Sequence, residues 1–175
     1  EVSPVAAKLG NVNVVVRRDG GLFGDNTDAF GFKALLDSTG IDVAGEKCTV
    51  LGSGGAAATV CAVLAEAGAA ETVVVSRRGE NNYSNLERHA DTSLLVNTTP
   101  VGMYPDVGSS PVSLDVFPRL RAVIDLIYNP SPTRLLAEAE KRGIRHGDIV
   151  KVFNERGIVL CGAYVTERLV EQTCY

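Results

Sequence analysis

The sequence has no tryptophan, a single methionine and two histidines, and only 6% of its 175 residues are aromatic. His89 and His146 each stand alone among polar residues, so the sequence offers no set of ligands typical of a metal site. The 17 lysine and arginine residues are outnumbered by 21 aspartate and glutamate residues, which gives a net charge of −4. This balance argues against nucleic-acid binding, which usually requires a basic surface.

Long apolar runs and paired cysteines are also missing. No apolar run reaches the roughly 18 residues that a membrane-spanning helix needs, and no secretory signal is visible at the N-terminus. The four cysteines have no C-x-x-C spacing, and Cys48 and Cys61 lie in apolar segments. We expect these two cysteines to be reduced core residues of a cytoplasmic protein.

Strand-like and helix-like segments alternate along most of the chain. Predicted strands at 47–52, 71–76, 93–100 and 122–130 alternate with predicted helices at 55–69 and 131–143. We also expect a hairpin at 12–25, a helix at 28–40, a helical segment near 81–89 and a last helix at 157–172. The alternation and the near-continuous apolar strands predict an α/β fold, with a parallel sheet covered by helices on both faces.

A glycine-rich loop indicates nucleotide binding. The segment TVLGSGGAAATV (49–60) carries a G-x-G-x-x-G/A pattern directly between a predicted strand and a predicted helix. Glycines there allow a tight turn and a close approach of the backbone to a pyrophosphate, as in a Rossmann-like fold. The alternative is an ordinary turn between a strand and a helix. The predicted cofactor contacts of this loop are Gly52, Ser53, Gly54, Gly55 and Ala56.

The end of the next predicted strand favours one dinucleotide over the other. An NAD site usually has an acidic residue there, which binds the ribose 2′-hydroxyl. This strand instead ends in VVVSRRG, with Ser76, Arg77 and Arg78. Two guanidinium groups suit a 2′-phosphate, so we predict NADP rather than NAD. The alternative is two solvated surface arginines.

Four consecutive polar side chains, Asp25 to Asp28, precede the predicted helix at 28–40 in the stretch GDNTDAFGF. An ordinary turn needs only one or two such residues. Asp28 is positioned either to act chemically or to cap the helix that follows, and both roles are compatible with its place in the sequence.

Several motifs together resemble one enzyme family. GDNTD, GSGGAAATV, SRR, NTTPVGM and VIDLIYNPSPTRLLAEAEKRG occur in the order and approximate spacing seen in shikimate dehydrogenases, from about residue 3 to about residue 145. The resemblance implies interconversion of shikimate and 3-dehydroshikimate with NADP, in aromatic amino-acid biosynthesis. It also implies an N-terminal substrate domain and a C-terminal Rossmann-like domain, with the active site in the cleft between them.

The resemblance assigns roles to single residues. Asp28 matches an aspartate that, with a lysine of the substrate domain, handles the proton of the hydroxyl being oxidised. By the same resemblance, the substrate contacts are Asn13, Thr27 and Tyr128. The further cofactor contacts that it implies are Asn97, Thr98, Thr99 and Gly157.

The resemblance also divides the chain and exposes a gap. It implies a truncated end of the substrate domain (1–27), a linking helix (28–40) and an NADP-binding Rossmann-like domain (41–175). The family's catalytic lysine and carboxylate-binding serines have no counterpart before Asn13. The sequence therefore predicts either a truncated shikimate dehydrogenase or a non-catalytic NADP-binding remnant or regulatory module. A missing domain or a second copy of the chain would cover the face left open.

Overall fold

The computed structural model describes residues 1–154 and 157–162, in which the chain forms a small hairpin and a larger sheet. The hairpin consists of β1 (Val14–Arg18) and β2 (Gly21–Asp25), which pair antiparallel across the turn at residues 19 and 20. The helix α2 (Asp28–Ser38) follows directly and connects the hairpin to the larger sheet. The hairpin at 12–25 and the helix at 28–40 were both predicted from the sequence.

The larger sheet has six strands in the order β4-β3-β5-β6-β7-β8. Strands β3 to β7 run parallel, and β8 is antiparallel to β7. β5 and β6 are buried along their whole length, as expected for strands covered on both faces. The strands are β3 (Lys47–Leu51), β4 (Glu71–Val75), β5 (Leu94–Asn97), β6 (Ala122–Asp125), β7 (Arg145–Asn154) and β8 (Gly157–Gly162).

Helices cover both faces of this sheet. Successive residues of a strand point to opposite faces, and apolar side chains on each face pack against helices. On one face, α2 and α3 (Gly55–Glu66) pack against Val50, Val96 and Ile124. On the other face, α4 (Arg134–Lys141) packs against Leu51, Leu95 and Val123. The predicted α/β fold with a Rossmann-like parallel sheet is therefore confirmed. No helix among the described residues is long and apolar enough to cross a membrane.

A short helix near the N-terminus was not predicted from the sequence. Helix α1 (Pro4–Leu9) is too short to show a helical apolar pattern, but Ser3 and Pro4 form a typical start. The Ser3 hydroxyl accepts a hydrogen bond from the amide of Ala6 at 3.0 Å. Lys8 forms an ion pair with Glu66, the last residue of α3. This lysine therefore lies at the end of α3 that is far from the glycine loop.

Two predictions of helix are corrected by the structure. The predicted last helix at 157–172 is wrong for residues 157–162, which form β8; its remainder lies outside the described residues. Short apolar runs such as GIVLCG do not distinguish a strand from a helix by periodicity alone. The segment near 81–89 is helical only at Leu86–His89, as a short 3-10 helix.

The two cysteines in the described core are reduced, as expected from the sequence. Cys48 is fully buried in β3 and Cys61 is half-buried in α3, and both are free thiols. Burial raises the pKa of the Cys48 thiol to about 11, and burial also raises the pKa of Cys61. Both side chains are therefore protonated, unreactive parts of the core at neutral pH.

One buried histidine couples stability to pH. His89 is 7% exposed, and its Nε2 lies 3.1 Å from the side-chain oxygen of Asn81, whereas its Nδ1 has no partner among the described residues. Burial, assisted by the nearby charge of Lys47, lowers the pKa of His89 below its ordinary value. The folded state therefore holds His89 neutral at pH values where the unfolded chain binds a proton.

We predict that this histidine lowers the stability of the protein on mild acidification. The contribution of neutral His89 is intact above the unfolded pKa of about 6.5 and is lost as the pH falls below it. Urea unfolding at pH 7.5 and 5.5 should show a smaller decrease in the free energy of unfolding for His89→Gln than for the unmodified protein. His146 is present in both proteins, so its contribution cancels. Equal decreases would contradict the prediction.

Candidate functional site

Two adjoining concave sites lie at the edge of the sheet where the parallel strands end. The first, called the groove, has a volume of about 740 Å³ and is lined by the glycine loop and by residues that follow β4. The second, called the cavity, has a volume of about 280 Å³ and lies between α2 and α3. Thr98, Thr99 and Pro100 line both. This edge is where open α/β sheets generally bind their ligands.

Gly52 gives the glycine loop its shape. Its φ of 110° lies in the left-handed region, and a Cβ atom there would come within 2.6 Å of Thr98 Oγ1. The Thr98 hydroxyl in turn donates a hydrogen bond of 2.6 Å to the carbonyl of Leu51. Glycine is therefore required at position 52 both for the turn and for the close approach of the segment after β5.

The beginning of α3 is suited to an anion. Gly54 precedes the helix without any side-chain cap, so no side chain of the described residues satisfies the first amide groups of α3. Free amide groups and the positive end of the helix dipole make such a terminus a phosphate site. Gly52, Ser53 and Gly54 all line the groove beside this terminus.

The two arginines that are predicted to bind the 2′-phosphate line the same groove. Because β3 and β4 are paired in parallel, with Leu51 opposite Val75, the residues that follow the two strands lie side by side. Ser76, Arg77 and Arg78 accordingly line the groove with the glycine loop. Both arginines are exposed. Tyr83 lines the groove as well; burial raises the pKa of its hydroxyl, and the charge of Arg77 opposes this shift.

The cavity is mostly apolar. One wall consists of Asp28, Gly31 and Phe32 at the start of α2, and the facing wall comes from the first turns of α3. Tyr128 belongs to the loop after β6 and, like Thr98 and Thr99, adds a polar group to the lining. An apolar site with a few polar groups can bind and orient a small organic molecule. The residues contributed by α3 and the loops are Ala56, Thr59, Val60, Pro100, Met103, Leu126 and Ile127.

The first two polar residues of the stretch at 25–28 form hydrogen bonds with neighbouring segments of the chain. The Asp25 carboxylate accepts a hydrogen bond from the Ser3 hydroxyl and one of 2.8 Å from the amide of Asn26. These bonds, with Ser3 as the larger cause, lower the pKa of Asp25. Asn26 is buried; its side chain accepts a hydrogen bond from the amide of Ala29 at 3.1 Å and donates to the carbonyl of Asn11 at 3.3 Å.

Asp28 differs from its three neighbours, because its carboxylate has no hydrogen-bond or ion-pair partner in the described part of the chain. It is the first residue of α2 and faces the cavity. The alternative that Asp28 caps this helix is not supported by the structure. The side chain of Asn26 bonds the Ala29 amide in the first turn and so has the capping role.

Asn13 and Thr27 form a pair beside the cavity. The Thr27 amide donates a hydrogen bond of 2.9 Å to the side-chain oxygen of Asn13, and the Asn13 amide group lies 3.2 Å from the Thr27 hydroxyl. Both residues are exposed and lie outside the cavity lining. Thr27 immediately precedes Asp28, so the pair lies at the open edge of the site.

Asn97 lies behind the two sites rather than in their lining. It is fully buried, its amide group donates to Asp125 at 3.0 Å, and its oxygen accepts from the Thr99 hydroxyl at 2.7 Å. Asp125 also accepts a hydrogen bond of 2.7 Å from Thr133, the cap of α4. Asn97 thus orients Thr99 from inside the protein. No signal in the sequence indicated this role beyond the polar residues at the ends of two buried strands.

Gly157, the remaining predicted cofactor contact, is the first residue of β8 and pairs with Asn154 of β7. It does not line the groove or the cavity as the structure describes them. Its assignment as a cofactor contact stays a prediction. The family described as "Molydopterin dinucleotide binding domain" matches residues 136–175, which include Gly157 but none of the residues that line the two sites.

Most of the chain is similar to a different group of proteins. The shikimate dehydrogenase (NADP(+)) of Clostridium perfringens strain SM101 is 34% identical over 160 residues, which cover 84% of this chain and 59% of that protein. Shikimate dehydrogenase 1 from Peptoclostridium difficile superposes with a TM-score of 0.78 at 34% identity, over 84% of this chain and 58% of that one.

A further solved structure carries ligands. Shikimate 5-dehydrogenase from Thermus thermophilus, in complex with NADP(H) and shikimate, superposes with a TM-score of 0.72 at 39% identity, over 83% of this chain and 58% of that chain. The chain therefore spans a little under three fifths of the length of these relatives. The resemblance predicted from the motifs is confirmed, and the chain is homologous to the NADP-dependent shikimate dehydrogenases over that part of their length.

Proposed function

We propose that this chain supplies the NADP-binding site and one catalytic carboxylate of an enzyme that interconverts shikimate and 3-dehydroshikimate. The observation that carries the proposal is the continuity of the two sites. The groove, with Arg77, Arg78 and the glycine loop, adjoins the cavity, with Asp28, across the shared segment 98–100. Such an arrangement would place a dinucleotide along the groove, with one end beside Asp28.

The residues of the groove fit NADP. The uncapped start of α3 would bind the pyrophosphate, and the guanidinium groups of Arg77 and Arg78 would bind the 2′-phosphate. Thr98, Thr99 and Pro100 line the groove and the cavity and would contact the middle of the cofactor. When bound, NADP supplies the acceptor or donor of a hydride.

Asp28 would act on the proton of the substrate hydroxyl. Its carboxylate has no partner among the described residues, lies at the start of α2 and faces the cavity. An alcohol that is being oxidised must lose its O–H proton, and a carboxylate at hydrogen-bond distance can help to take it. The family's partner lysine would come from outside residues 1–13, since Lys8 is engaged with Glu66 at the far end of α3.

The substrate would be oriented from the open edge of the cavity. The Asn13 side chain is held by the Thr27 backbone amide and donates to the Thr27 hydroxyl, which limits the motion of both side chains before a ligand arrives. Tyr128 would contribute a third polar group from the loop after β6. A ring with several hydroxyl groups requires several such fixed contacts.

The division of the chain follows from the same proposal. Residues 1–27 would belong to the substrate domain, 28–40 would form the linking helix, and 41–175 would form the NADP-binding domain of a cytoplasmic enzyme. The hairpin supports this division, since Val15, Val16 and Leu22 are 59%, 48% and 64% exposed. Either a further domain or a second copy of the chain would cover these apolar side chains.

The alternative is an NADP-binding module without catalytic activity. It is favoured because no lysine pairs with Asp28 among the described residues, which leaves the proposed proton transfer without its second group. The two functions share the groove and differ in whether Asp28 acts on a substrate. A calorimetric titration with NADP⁺ tests what they share, and an assay of shikimate-dependent NADPH formation tests what separates them.

We predict that Arg77→Ala weakens the binding of NADP⁺ about 10- to 30-fold and leaves the binding of NAD⁺ nearly unchanged. Loss of a charge-assisted hydrogen bond to a phosphate costs about 1.5–2 kcal/mol here, the lower part of the usual range because Arg77 is exposed. Calorimetric titration of both cofactors measures the difference. Arg88→Ala, which removes an exposed arginine outside the groove, is the matched control. Equal losses for both cofactors would refute the 2′-phosphate contact.

We predict that alanine substitution distinguishes the roles of two glycines of the loop, one in stability and the other in cofactor binding. Gly52→Ala should destabilise the protein by about 1–3 kcal/mol, because of its φ of 110° and the contact with Thr98 Oγ1. Gly54→Ala should leave stability nearly unchanged, because its φ is −88° and no atom lies within 4 Å of the added Cβ. It should nevertheless weaken NADP⁺ binding by obstructing the pyrophosphate. Unchanged binding, measured by calorimetry beside urea unfolding, would contradict a phosphate site here.

We predict that Asp28→Asn lowers the rate of shikimate oxidation about 10²- to 10⁴-fold and leaves NADP⁺ affinity unchanged, since an amide cannot accept the proton. The assay is shikimate-dependent NADPH formation. Asp37→Asn, at the other end of α2, removes a carboxylate paired with exposed Lys33 and should have little effect on the rate. Activity of the unmodified chain that survives Asp28→Asn would exclude the proposed role. NADP⁺ binding without any activity would fit both the non-catalytic module and a chain that needs its partner lysine from elsewhere.

A further inference from the structure

Thr59 was not singled out by the sequence motifs, and the structure places it in the wall of the cavity. It lies in the second turn of α3, and its neighbours on the same helix face are Ala56 and Val60. Residues spaced i, i+3 and i+4 share one face of a helix. All three line the cavity, opposite Asp28 and Phe32 of α2. Thr59 therefore forms part of the cavity wall.

The hydroxyl of Thr59 is buried without a hydrogen bond. The residue is 1% exposed, and Oγ1 has no partner among the described residues. A threonine in a helix can bond the carbonyl four residues earlier, but Thr59 does not; the carbonyl of Gly55 accepts from Asn11 at 3.3 Å instead. Leaving a buried hydroxyl unpaired costs stability, so a functional reason for it is expected at a binding site.

A second buried threonine of the same fold has a hydroxyl that is paired. Thr49 is equally buried in β3, and its hydroxyl lies 2.6 Å from that of Thr92. Thr49 lies outside both the groove and the cavity. Of the two buried hydroxyls without a partner among the described residues, those of Thr59 and Ser93, only that of Thr59 belongs to a residue in the wall of the cavity.

We infer that the Thr59 hydroxyl is a binding contact for the nicotinamide end of the cofactor, through a hydrogen bond to its carboxamide. The inference rests on the proposed function, because it requires the dinucleotide to lie along the groove with its far end in the cavity. A carboxamide has both a donor and an acceptor, so it can pair with a hydroxyl whichever way the proton points. The apolar neighbours Phe32, Val60 and Ile127 suit a flat ring.

The test is Thr59→Val, which replaces the hydroxyl by a methyl group of nearly the same size. The affinity for NADP⁺, measured by calorimetry, should fall about 3- to 10-fold, as expected for one neutral hydrogen bond. The affinity for 2′,5′-ADP, which has the 2′-phosphate but no nicotinamide, should be unchanged. The melting temperature of the free protein should rise by about 2–4 °C, because an unpaired buried hydroxyl has been removed.

Two variants serve as controls. Thr59→Ser keeps the hydroxyl and should bind NADP⁺ with an affinity within about twofold of the unmodified protein. Thr49→Val makes the same chemical change at an equally buried but paired threonine. It should lower the melting temperature and leave NADP⁺ binding unchanged, because it leaves the Thr92 hydroxyl without this partner.

The outcomes separate this inference from the proposed function. Unchanged NADP⁺ affinity in Thr59→Val would overturn the inference while leaving the groove intact. An equal loss for NADP⁺ and 2′,5′-ADP would also overturn it, since the substitution would then act through the start of α3. No binding of either compound to the unmodified protein would overturn the proposed function, and the inference with it. Loss confined to NADP⁺, with raised thermal stability, would support the inference.

Discussion

The close contact between the ends of β3 and β5 is the constraint on which the rest of the site depends. Thr98 bonds the carbonyl of Leu51 twice, through its amide at 2.9 Å and its hydroxyl at 2.6 Å. This approach is feasible only because Gly52 has no side chain. It fixes the segment 98–100 as the shared wall of the groove and the cavity. Without that wall, the glycine loop and Asp28 would have no fixed position relative to each other.

Buried polar residues stabilise that wall from behind. Asp125 is fully buried, and its carboxylate accepts hydrogen bonds from Asn97, Thr133 and the amide of Ile127. These bonds connect the ends of β5 and β6 to the start of α4. A buried carboxylate is tolerated only when its oxygens are satisfied, so the network has one favourable arrangement and gives the loops after both strands a defined position.

Features that follow from local sequence patterns could be predicted, whereas features that depend on contacts between residues far apart in the chain could not. The glycine loop, the arginines after β4 and the alternation of strands and helices follow from local patterns, and the fold that they predicted is confirmed. Asn97 was predicted to contact the cofactor, but its partner Asp125 lies 28 residues away, a pairing that no local pattern reveals. Thr59 was missed because only the packing of α2 against α3 creates its cavity. The strand β8 was predicted as a helix, because a short apolar run is compatible with both.

The polar stretch at 25–28 shows how one segment can combine structure and chemistry. Asp25, Asn26 and Thr27 each bond a different part of the N-terminal region, namely Ser3, the carbonyl of Asn11 and Asn13. Their bonds fix the start of α2, and Asp28 follows as the residue whose carboxylate is left for the cavity. The groove is built from β3, β4 and α3, whereas the position of this carboxylate depends on the hairpin and α2. The proposed cofactor site and the proposed proton-transfer group therefore rest on different elements, so a change that displaces Asp28 can leave the groove intact.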